Sequence, residues 1–503
     1  MTAAPIVIVG DTLLDRDVDG AVTRVCPDAA APVLDERYVD DRPGGAGLAA
    51  VLAVGQGHPV VLISAFASDA AGARLAALLT AAGIDLHPLP LGGATAEKIR
   101  LRTRGQVLLR LDRGGLGAVG GALSPATEEL LASAAAVVVS DYGRGVARLP
   151  ALRAALAATT APVVWDPHPR GPAAVAGARL VTPNETEVRQ LTGQPVGDSR
   201  VATATAGADQ LRRRWQAGAV AVTMGGDGAL LCHCGSVPLM VPAPASADGD
   251  TCGAGDRFAT AAALALAGGA LVSEAVQTAV ELACRYVLDG GAAGLRRLLA
   301  DDHDQQAGPV RSGVADLAHP TAEFVAAATG ERIGPQAAGE LVARVRAAGG
   351  TVVASGGCFD LLHAGHVTAL QAARQLGDCL IVCVNSDASV ARLKGPDRPV
   401  VTQRDRARLL AALGCVDAVV VFDEDTPHAV LSWLRPDIWV KGGDYAGDGA
   451  GQPDLPEAGL LRRWGGQTAI VPYLDGRSTT NLIAMARARG VPDGHVELRK
   501  EPA

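Results

Sequence analysis

Short β-branched runs alternate with alanine-rich stretches along almost the whole chain, and this rhythm limits the available folds more than any other feature. "PIVIVGD", "VVLISAF", "AVVVSDY", "PVVWDP", "RLVTPN" and "AVAVTMGG" form one series; "GTVVASGG", "CLIVCVNSD", "DAVVVFDED", "DIWVKGGD" and "TAIVPYLD" form a second. Each run is of strand length and closes on Gly, Asp, Asn or Ser, where a βα loop opens at the carboxyl edge of a parallel sheet. The expected class is α/β, with two Rossmann-like sheets that take ligands at those carboxyl edges. A chain of 503 residues is also too long for one ordinary domain. Between the two series lies the polar, Gly/Pro-marked "LLADDHDQQAGPVRSGVADLAHP", so the expected domains are 1–315 and 335–503 with a linker over 316–334. The second should begin with a helix at Pro335, run through Leu341, Val342 and Val345 on one face, and stop before Gly349.

A net charge of −8 and the absence of like-charge blocks argue against a nucleic-acid partner. Nine scattered cysteines do not form a disulfide framework and fit a reducing compartment. "MTAAPIVIVGD" lacks a basic start, and no apolar run is long enough to span a bilayer, so a cytoplasmic protein without a membrane partner is expected.

In the second series "SGGCFDLLHAGHVTALQAARQLGD" sets His363 and His366 three apart where a helix should begin. They could cap and pack a helix start, ligate a metal, or contact phosphate. A metal lacks a third partner at helical spacing. A helix N-terminus supplies free N–H groups and a positive dipole end, Gly365 permits close backbone approach, and imidazole donors there can stabilise phosphoryl charge. The neighbouring strand ends add Lys394 in "RLKG", Arg404 after a Thr402/Asp405 capping box, Lys441 and Asp444 in "VKGGDY", and Arg477, Ser478, Thr479 and Thr480 in "DGRSTTNLI". This set resembles the cytidylyltransferase-like nucleotidyltransferases, with their H-x-G-H step and late S-T-T helix start. The resemblance implies that His363 and His366 touch nucleotide phosphates. It also implies that Phe359, Asp360, Lys394, Arg404, Lys441, Asp444 and the 477–480 turn surround nucleotide or sugar phosphate. The implied reaction is attack of a phosphate oxygen on the α-phosphorus of a nucleoside triphosphate, by positioning and charge stabilisation alone. Class I aminoacyl-tRNA synthetases share H-x-G-H, but neither a K-M-S-K-S-like loop nor an RNA-binding appendage is visible here.

In the first series "DGDTCGAGDRFATAAALALA" places Gly253, Ala254 and Gly255 in a turn before a helix, a nest of amides suited to a phosphoryl group in transit. Asp256 closes the turn and can take a proton from an attacking hydroxyl. "TPNETE" offers Asn184 and Glu187 to order Mg²⁺ and its waters, and "TMGGDGALL" offers Gly225 and Gly228 as a bend for nucleotide. Asp11, Asp15, Gly44 and Gly45 suit sugar hydroxyls, and "EKIRLRTRGQVLLRLD", with Lys98 and Arg100, reads as a substrate-covering segment. The ensemble resembles the ribokinase-like (PfkB) sugar kinases, which implies a Rossmann-like sheet with a small β lid and a homodimer formed through that lid. Two positions depart from the pattern: Leu48 stands where an Asn binds sugar, and His168 stands where a D-P-K lysine is usual.

The order of the halves, with "RVCPDAAAPVL", "GCFDLLHAGHV", "VNSDASVARLKG", "EDTPHAVL" and "VKGGDY", resembles the family of bifunctional heptose 7-phosphate kinases/heptose 1-phosphate adenylyltransferases; Gly356 replaces one expected Asn. That likeness implies ATP as substrate in both halves, Mg²⁺ at both, sugar phosphates as partners, and a separate bisphosphate phosphatase acting between the steps. The competing reading keeps a nucleotidyltransferase for another sugar or polyol phosphate, or for CTP, with the first half a weak or non-catalytic scaffold.

Overall fold

The structure is a computed structural model that describes residues 3–26, 28–29, 31–54, 56–115, 117–195, 199–233, 237–244, 249–292, 294, 332–443 and 456–472. They form two compact units, one drawn from each series of strands. Residues 316–331 of the expected linker lie outside the described residues.

In the first unit the strands in chain order are β1 (Ile6–Gly10), β2 (Thr12–Val25), β3 (Pro32–Gly45), β4 (Val60–Phe66), β5 (Asp85–Pro90), β6 (Glu97–Thr103), β7 (Gln106–Arg113), β8 (Ala136–Ser140), β9 (Val163–Asp166), β10 (Leu180–Val181), β11 (Val220–Thr223), β12 (Ala229–Cys232) and β13 (Leu239–Val241). The main sheet runs β13-β12-β11-β10-β9-β8-β1-β4-β5, parallel except where β12 and β13 turn back as a meander. β1 and β8 are buried along their full length. That explains their continuous apolar reading, because a parallel strand covered on both faces shows no alternation. Every strand expected from this series forms.

A separate four-stranded sheet, β3-β2-β6-β7, is the lid. The residues 97–112 segment was legible as part of it; β2 and β3, each 14 residues, were not. Their charged pattern is satisfied across strands rather than by solvent. Asp17 accepts from Arg42 at 2.8 Å and Arg102 at 3.1 Å, and Arg16 holds Asp41 at 2.7 Å and Glu97 at 3.2 Å. Cross-strand charge pairing of this kind stands in for the apolar alternation that marks a strand.

In the second unit β14 (Val352–Gly357), β15 (Cys379–Asn385), β16 (Ala418–Phe422), β17 (Ile438–Gly443) and β18 (Gln467–Pro472) form an all-parallel sheet ordered β16-β15-β14-β17-β18. The expected helix spans Pro335–Ala347, and Gly349 follows it at φ 73°. Val342, Leu341 and Val345 pack on the cluster around Ile381, Leu431 and Trp439. The order reverses direction on either side of β14, so the crevice of this sheet opens beyond the carboxyl end of β14, where the two histidines lie.

Candidate active sites

In the first unit, β1 and β8 end side by side, in register from Ile6/Ala136 to Gly10/Ser140. A side chain at Gly10 is impossible there, since its Cβ would fall 1.9 Å from the Ser140 carbonyl oxygen. The next residue, Asp11, is buried, and its carboxylate is fully engaged by backbone. Oδ1 accepts from Val146 N at 3.0 Å, and Oδ2 accepts from Arg144 N at 2.8 Å and Tyr142 N at 3.1 Å. The loop after β8 is thereby drawn against β1, and Tyr142 reaches Asp256.

Asp256 lies in the first turn of helix Ala254–Ala267 and is 3% exposed. Its Oδ1 accepts from Ser140 Oγ at 3.1 Å and its Oδ2 from Tyr142 OH at 2.8 Å. Burial pushes its carboxyl up to about 6; the Tyr142 and Ser140 hydrogen bonds and the charge of Lys98 pull it back, while Asp15 adds to the rise. A carboxylate poised there is ionised at neutral pH yet basic enough to accept a proton. Gly253 caps the helix at φ 85°, with Leu48 and the Tyr286 hydroxyl pressed against it. Around Gly255 the position of a Cβ is open. Leu48 is therefore a packing residue under the turn, clustered with Leu52, Tyr286 and Val287.

Two clefts meet at Gly255 and Thr223. One, of about 700 Å³, is largely apolar and lined by Gly225, Gly228, Ala254, Phe258, Val280 and Cys284, a slot suited to a flat base. The other, of about 540 Å³, is lined by Asp141, Tyr142, Asp166, His168, Asn184, Glu187, Gly253 and Asp256. Asn184 and Glu187 form a reciprocal capping box on helix Glu185–Thr192, with Glu187 N to Asn184 Oδ1 at 2.9 Å and Asn184 N to Glu187 Oε2 at 2.8 Å. This fixes Glu187 at the cleft wall. Asp141 and Asp166 were not picked out from the sequence, although each directly follows or ends an expected strand. Burial drives Asp166 well above the usual carboxylate range, and the charges of Glu187 and Asp256 add to the rise. Burial likewise pushes Asp141 up to about 7, and its Oδ2 is buried without a hydrogen-bond partner. Among the described residues no three Asp, Glu, His or Cys side chains converge as a metal cage. The acidic lining of this cleft nevertheless suits a divalent cation carried in on nucleotide phosphates.

The lid supplies the remaining first-unit residues. Asp15 and Lys98 are paired in register across β2 and β6, and Asp15 accepts from Arg100 at 2.8 Å. Gly44 leaves room for the Asp15 carboxylate, whose Oδ2 would lie 2.5 Å from a Cβ there. Gly45, at φ 61°, fits between the Asp11 carbonyl and the Tyr142 ring. His168 accepts from Arg170 N through Nδ1 at 3.1 Å, and burial followed by the charge of Arg170 holds it below its ordinary value, so it is neutral at pH 7.

In the second unit His363 caps helix Ala364–Gln375 and its ring stacks on His366 at 3.9 Å, while Phe359 meets His366 edge-on at 5.3 Å. Phe359 adopts φ 47°, a costly conformation for a non-glycine residue, and one that occurs here in the loop before the two histidines. Burial, then the charges of His363 and Lys394, push His366 down to about 4. It is therefore a neutral imidazole at pH 7, and its buried Nδ1 has no hydrogen-bond partner. A cleft of about 770 Å³ is lined by Gly356, Gly357, Cys358, Phe359, Asp360, His366, Lys394 and Gly442.

Several expected contacts take another form. Asp360 is buried and accepts from Val400 N at 2.7 Å, from Val401 N at 3.0 Å and from Arg398, so it latches the loop after Lys394 onto the histidine loop. Arg404 is exposed on the first turn of helix Gln403–Ala411 and does not line the cleft. Two residues on, Arg406 is 1% exposed and donates to Cys358 O at 2.5 Å, Asn385 O and Val401 O at 2.9 Å, and Asp387 at 2.7 Å. The Thr402/Asp405 capping box is only half formed. Thr402 accepts from Asp405 N at 3.3 Å, but the Asp405 carboxylate takes the Thr402 hydroxyl instead of reaching the backbone, being one methylene shorter than Glu. Lys441 pairs at 2.7 Å with buried Glu457. Asp444, Arg477, Ser478, Thr479 and Thr480 lie outside the described residues. Arg406 and Glu457 left a weak trace in the sequence: the middle of three alternating arginines, Arg404, Arg406 and Arg408, in one short helix, and a lone Glu after a proline.

The comparisons with known proteins agree with this division. The family profile of the pfkB family carbohydrate kinases matches residues 3–296, and that of the cytidylyltransferase-like proteins matches 354–467. The chain is thus a PfkB carbohydrate kinase joined to a cytidylyltransferase-like domain. It is 53% identical to the "Bifunctional protein HldE" of Streptomyces coelicolor over 96% of both chains, and 38% identical to that of Azorhizobium caulinodans over 96% of this chain and 98% of the relative. A ribokinase from Arabidopsis thaliana, solved with ribose and ATP, covers 60% of this chain and 99% of its own at 20% identity and a TM-score of 0.46. The chain belongs to the HldE family of bifunctional kinase/adenylyltransferases of ADP-heptose biosynthesis, and it joins a sugar kinase to a nucleotidyltransferase. Full-length agreement with bifunctional relatives does not favour a scaffold role for the first half.

Proposed function

We propose that the first unit transfers the γ-phosphoryl group of ATP to the anomeric hydroxyl of D-glycero-D-manno-heptose 7-phosphate. We propose that the second then joins the resulting 1-phosphate to AMP from another ATP, giving ADP-heptose and pyrophosphate. The observation that carries the kinase reading is the pairing of buried Asp256 with the amide turn 253–255 where the two clefts meet. Asp256 accepts the hydroxyl proton, and the turn amides with the helix N-terminus face the charge on the moving phosphoryl group. Mg²⁺ carried in on the nucleotide would neutralise phosphate charge at each site, and in the first unit Asn184 and Glu187 on the cleft wall would order its waters. Lys98 and Arg100 on the lid close over the sugar phosphate.

In the second unit, His363, His366 and Lys394 present donors to the triphosphate. The attacking nucleophile is already a phosphate anion, so no base is required. We propose that a separate phosphatase removes the 7-phosphate between the steps. The lid sheet carries the exposed side chains Tyr38, Val39, Val107, Leu109 and Leu111, which support a homodimer through the kinase unit. No helix among the described residues is long and apolar enough to cross a membrane, which supports a cytoplasmic enzyme.

The deciding experiment supplies ATP, Mg²⁺ and heptose 7-phosphate, then a phosphatase. Mass spectrometry should show the bisphosphate first and the nucleotide sugar only after dephosphorylation. Turnover with CTP but not ATP would remove the adenylyl assignment.

A further inference from the structure

The strongest arrangement not yet assigned a role is the connection from the end of β1 to the kinase base. Asp11 spends its whole carboxylate on three backbone N–H groups of the loop after β8, at 2.8, 3.0 and 3.1 Å. Its own N–H donates to Ser140 O at 3.3 Å, and its carbonyl accepts from Ala46 N at 3.1 Å. A buried carboxylate so engaged is a rigid clamp, because every lone pair it turns away from the amides would be left unsolvated. The clamped loop bears Tyr142, whose ring packs against Gly45 and whose hydroxyl donates to Asp256 Oδ2 at 2.8 Å. Ser140, the last residue of β8, donates to the other oxygen at 3.1 Å. The base is therefore held at both oxygens by one short segment, and that segment is held by Asp11.

We propose that Tyr142 is a positioning residue for the kinase base, aiming Asp256 at the sugar hydroxyl, and that Asp11 acts through the 142–146 loop to hold Tyr142 rather than binding sugar itself. This rests on the reading of Asp256 as proton acceptor. A tyrosine suits the task because its single O–H commits to the carboxylate while the ring, locked against Gly45, fixes the direction of that bond. Donation to the ionised form also sets when the base works. The charged or titratable groups whose fields reach Asp256 or its donor Tyr142 are Lys98 and Asp15 from the lid, Asp166 at the end of β9, and Cys252 and Tyr286 around the turn; Asp141 and Glu187 bear on it through Asp166. Removing the Tyr142 hydroxyl leaves all of these in place and takes away one stabiliser of the carboxylate, so protonation begins at a higher pH.

The test uses the whole chain, with nucleotidyl transfer in the same preparation as the control for folding. Tyr142→Phe should lower kinase kcat at pH 7 about tenfold. It should also move the acid limb of the kinase profile to higher pH and leave KM for ATP and the transferase rate unchanged. Ser140→Ala should move the limb in the same direction, and it decides the matter if Tyr142→Phe proves unfolded. Parental kcat with an unmoved limb in the folded variant, while Asp256→Asn is inactive, overturns the positioning role alone. Parental turnover by Asp256→Asn overturns the base assignment and this proposal with it.

Discussion

Two glycines of the anion turn, two residues apart, should respond to the same substitution in opposite ways. Gly253 sits at φ 85°, and an added Cβ would lie 2.6 Å from Leu48 Cδ2 and 2.7 Å from the Tyr286 hydroxyl. Left-handed backbone costs an L residue about 1–2 kcal/mol. Overpacking a filled site adds about 1–3 kcal/mol. Gly253→Ala should therefore destabilise the kinase unit by about 2–5 kcal/mol, seen as a lower melting temperature for that unit in calorimetry. Gly255 lies inside helix Ala254–Ala267 with nothing within 4 Å of its Cβ position. Alanine there gains helix propensity, up to about 1 kcal/mol, and should not lower stability. Its methyl, however, would project where the base slot meets the acidic cleft, both of which Gly255 lines. Loss of close approach to the amides should lower kinase kcat/KM about 10²-fold or more, the scale of a lost oxyanion donor. Nucleotidyl transfer by the same sample should be unaffected. Parental kinase turnover by a stable Gly255→Ala protein would refute the reasoning, as would a Gly253→Ala protein that melts with the parent.

The remaining expectations are separable. Kinase turnover should fall as pH drops through about 6, because the base carboxyl is pushed up by burial and only the ionised form accepts a proton; a rate profile from pH 5 to 8 checks this. Lys441→Met should leave Glu457, 3% exposed, as a buried unpaired carboxylate and cost about 3–5 kcal/mol, whereas Lys441→Met with Glu457→Leu should recover much of that in thermal melts. If Lys441 serves phosphate as well, the stable double variant should still have a raised KM for nucleotide. Arg406→Leu should abolish nucleotidyl transfer, since it frees the carbonyls of Cys358, Asn385 and Val401 together, while kinase turnover in the same chain persists. Asp360→Ala should raise KM for nucleotide about tenfold by releasing residues 398–401 from the histidine loop, read in steady-state transferase kinetics.

All eleven strands expected from the β-branched runs are present, because a parallel strand buried on both faces must be apolar throughout and so announces itself. The lid strands β2 and β3 were hidden by their charge: "DRDVD" reads as solvated surface until Arg42, Arg100 and Arg102 arrive from neighbouring strands to pair with it. The location of the sites was legible for a related reason. Strand ends dictate where loops gather, and the loops carrying Asp256, Glu187, His366 and Lys394 do line clefts.

Spacing could not say which way a carboxylate faces once it reaches the sheet edge. Asp11, Asp256 and Asp360 all follow or precede glycine-rich or aromatic turn residues, and all are buried. Yet Asp11 accepts from three backbone N–H groups and Asp360 from two together with the Arg398 guanidinium, and Asp256 alone of the three accepts only from hydroxyls at a cleft wall. The difference has a physical basis. A loop at a ligand-binding edge leaves amides without secondary-structure partners, and a buried carboxylate is the most effective acceptor for several at once. A site that must hold flexible loops around phosphate therefore needs clamping acids beside its reacting one, and both kinds look alike in one dimension. What distinguishes them is the donor. Against the burial that would raise it, the Val401 amide, the Arg398 guanidinium and the Val400 amide hold the Asp360 carboxyl below its ordinary value and make it a poor base, whereas burial with two hydroxyls leaves Asp256 near 6, able to give and take a proton at the pH where ATP chemistry runs.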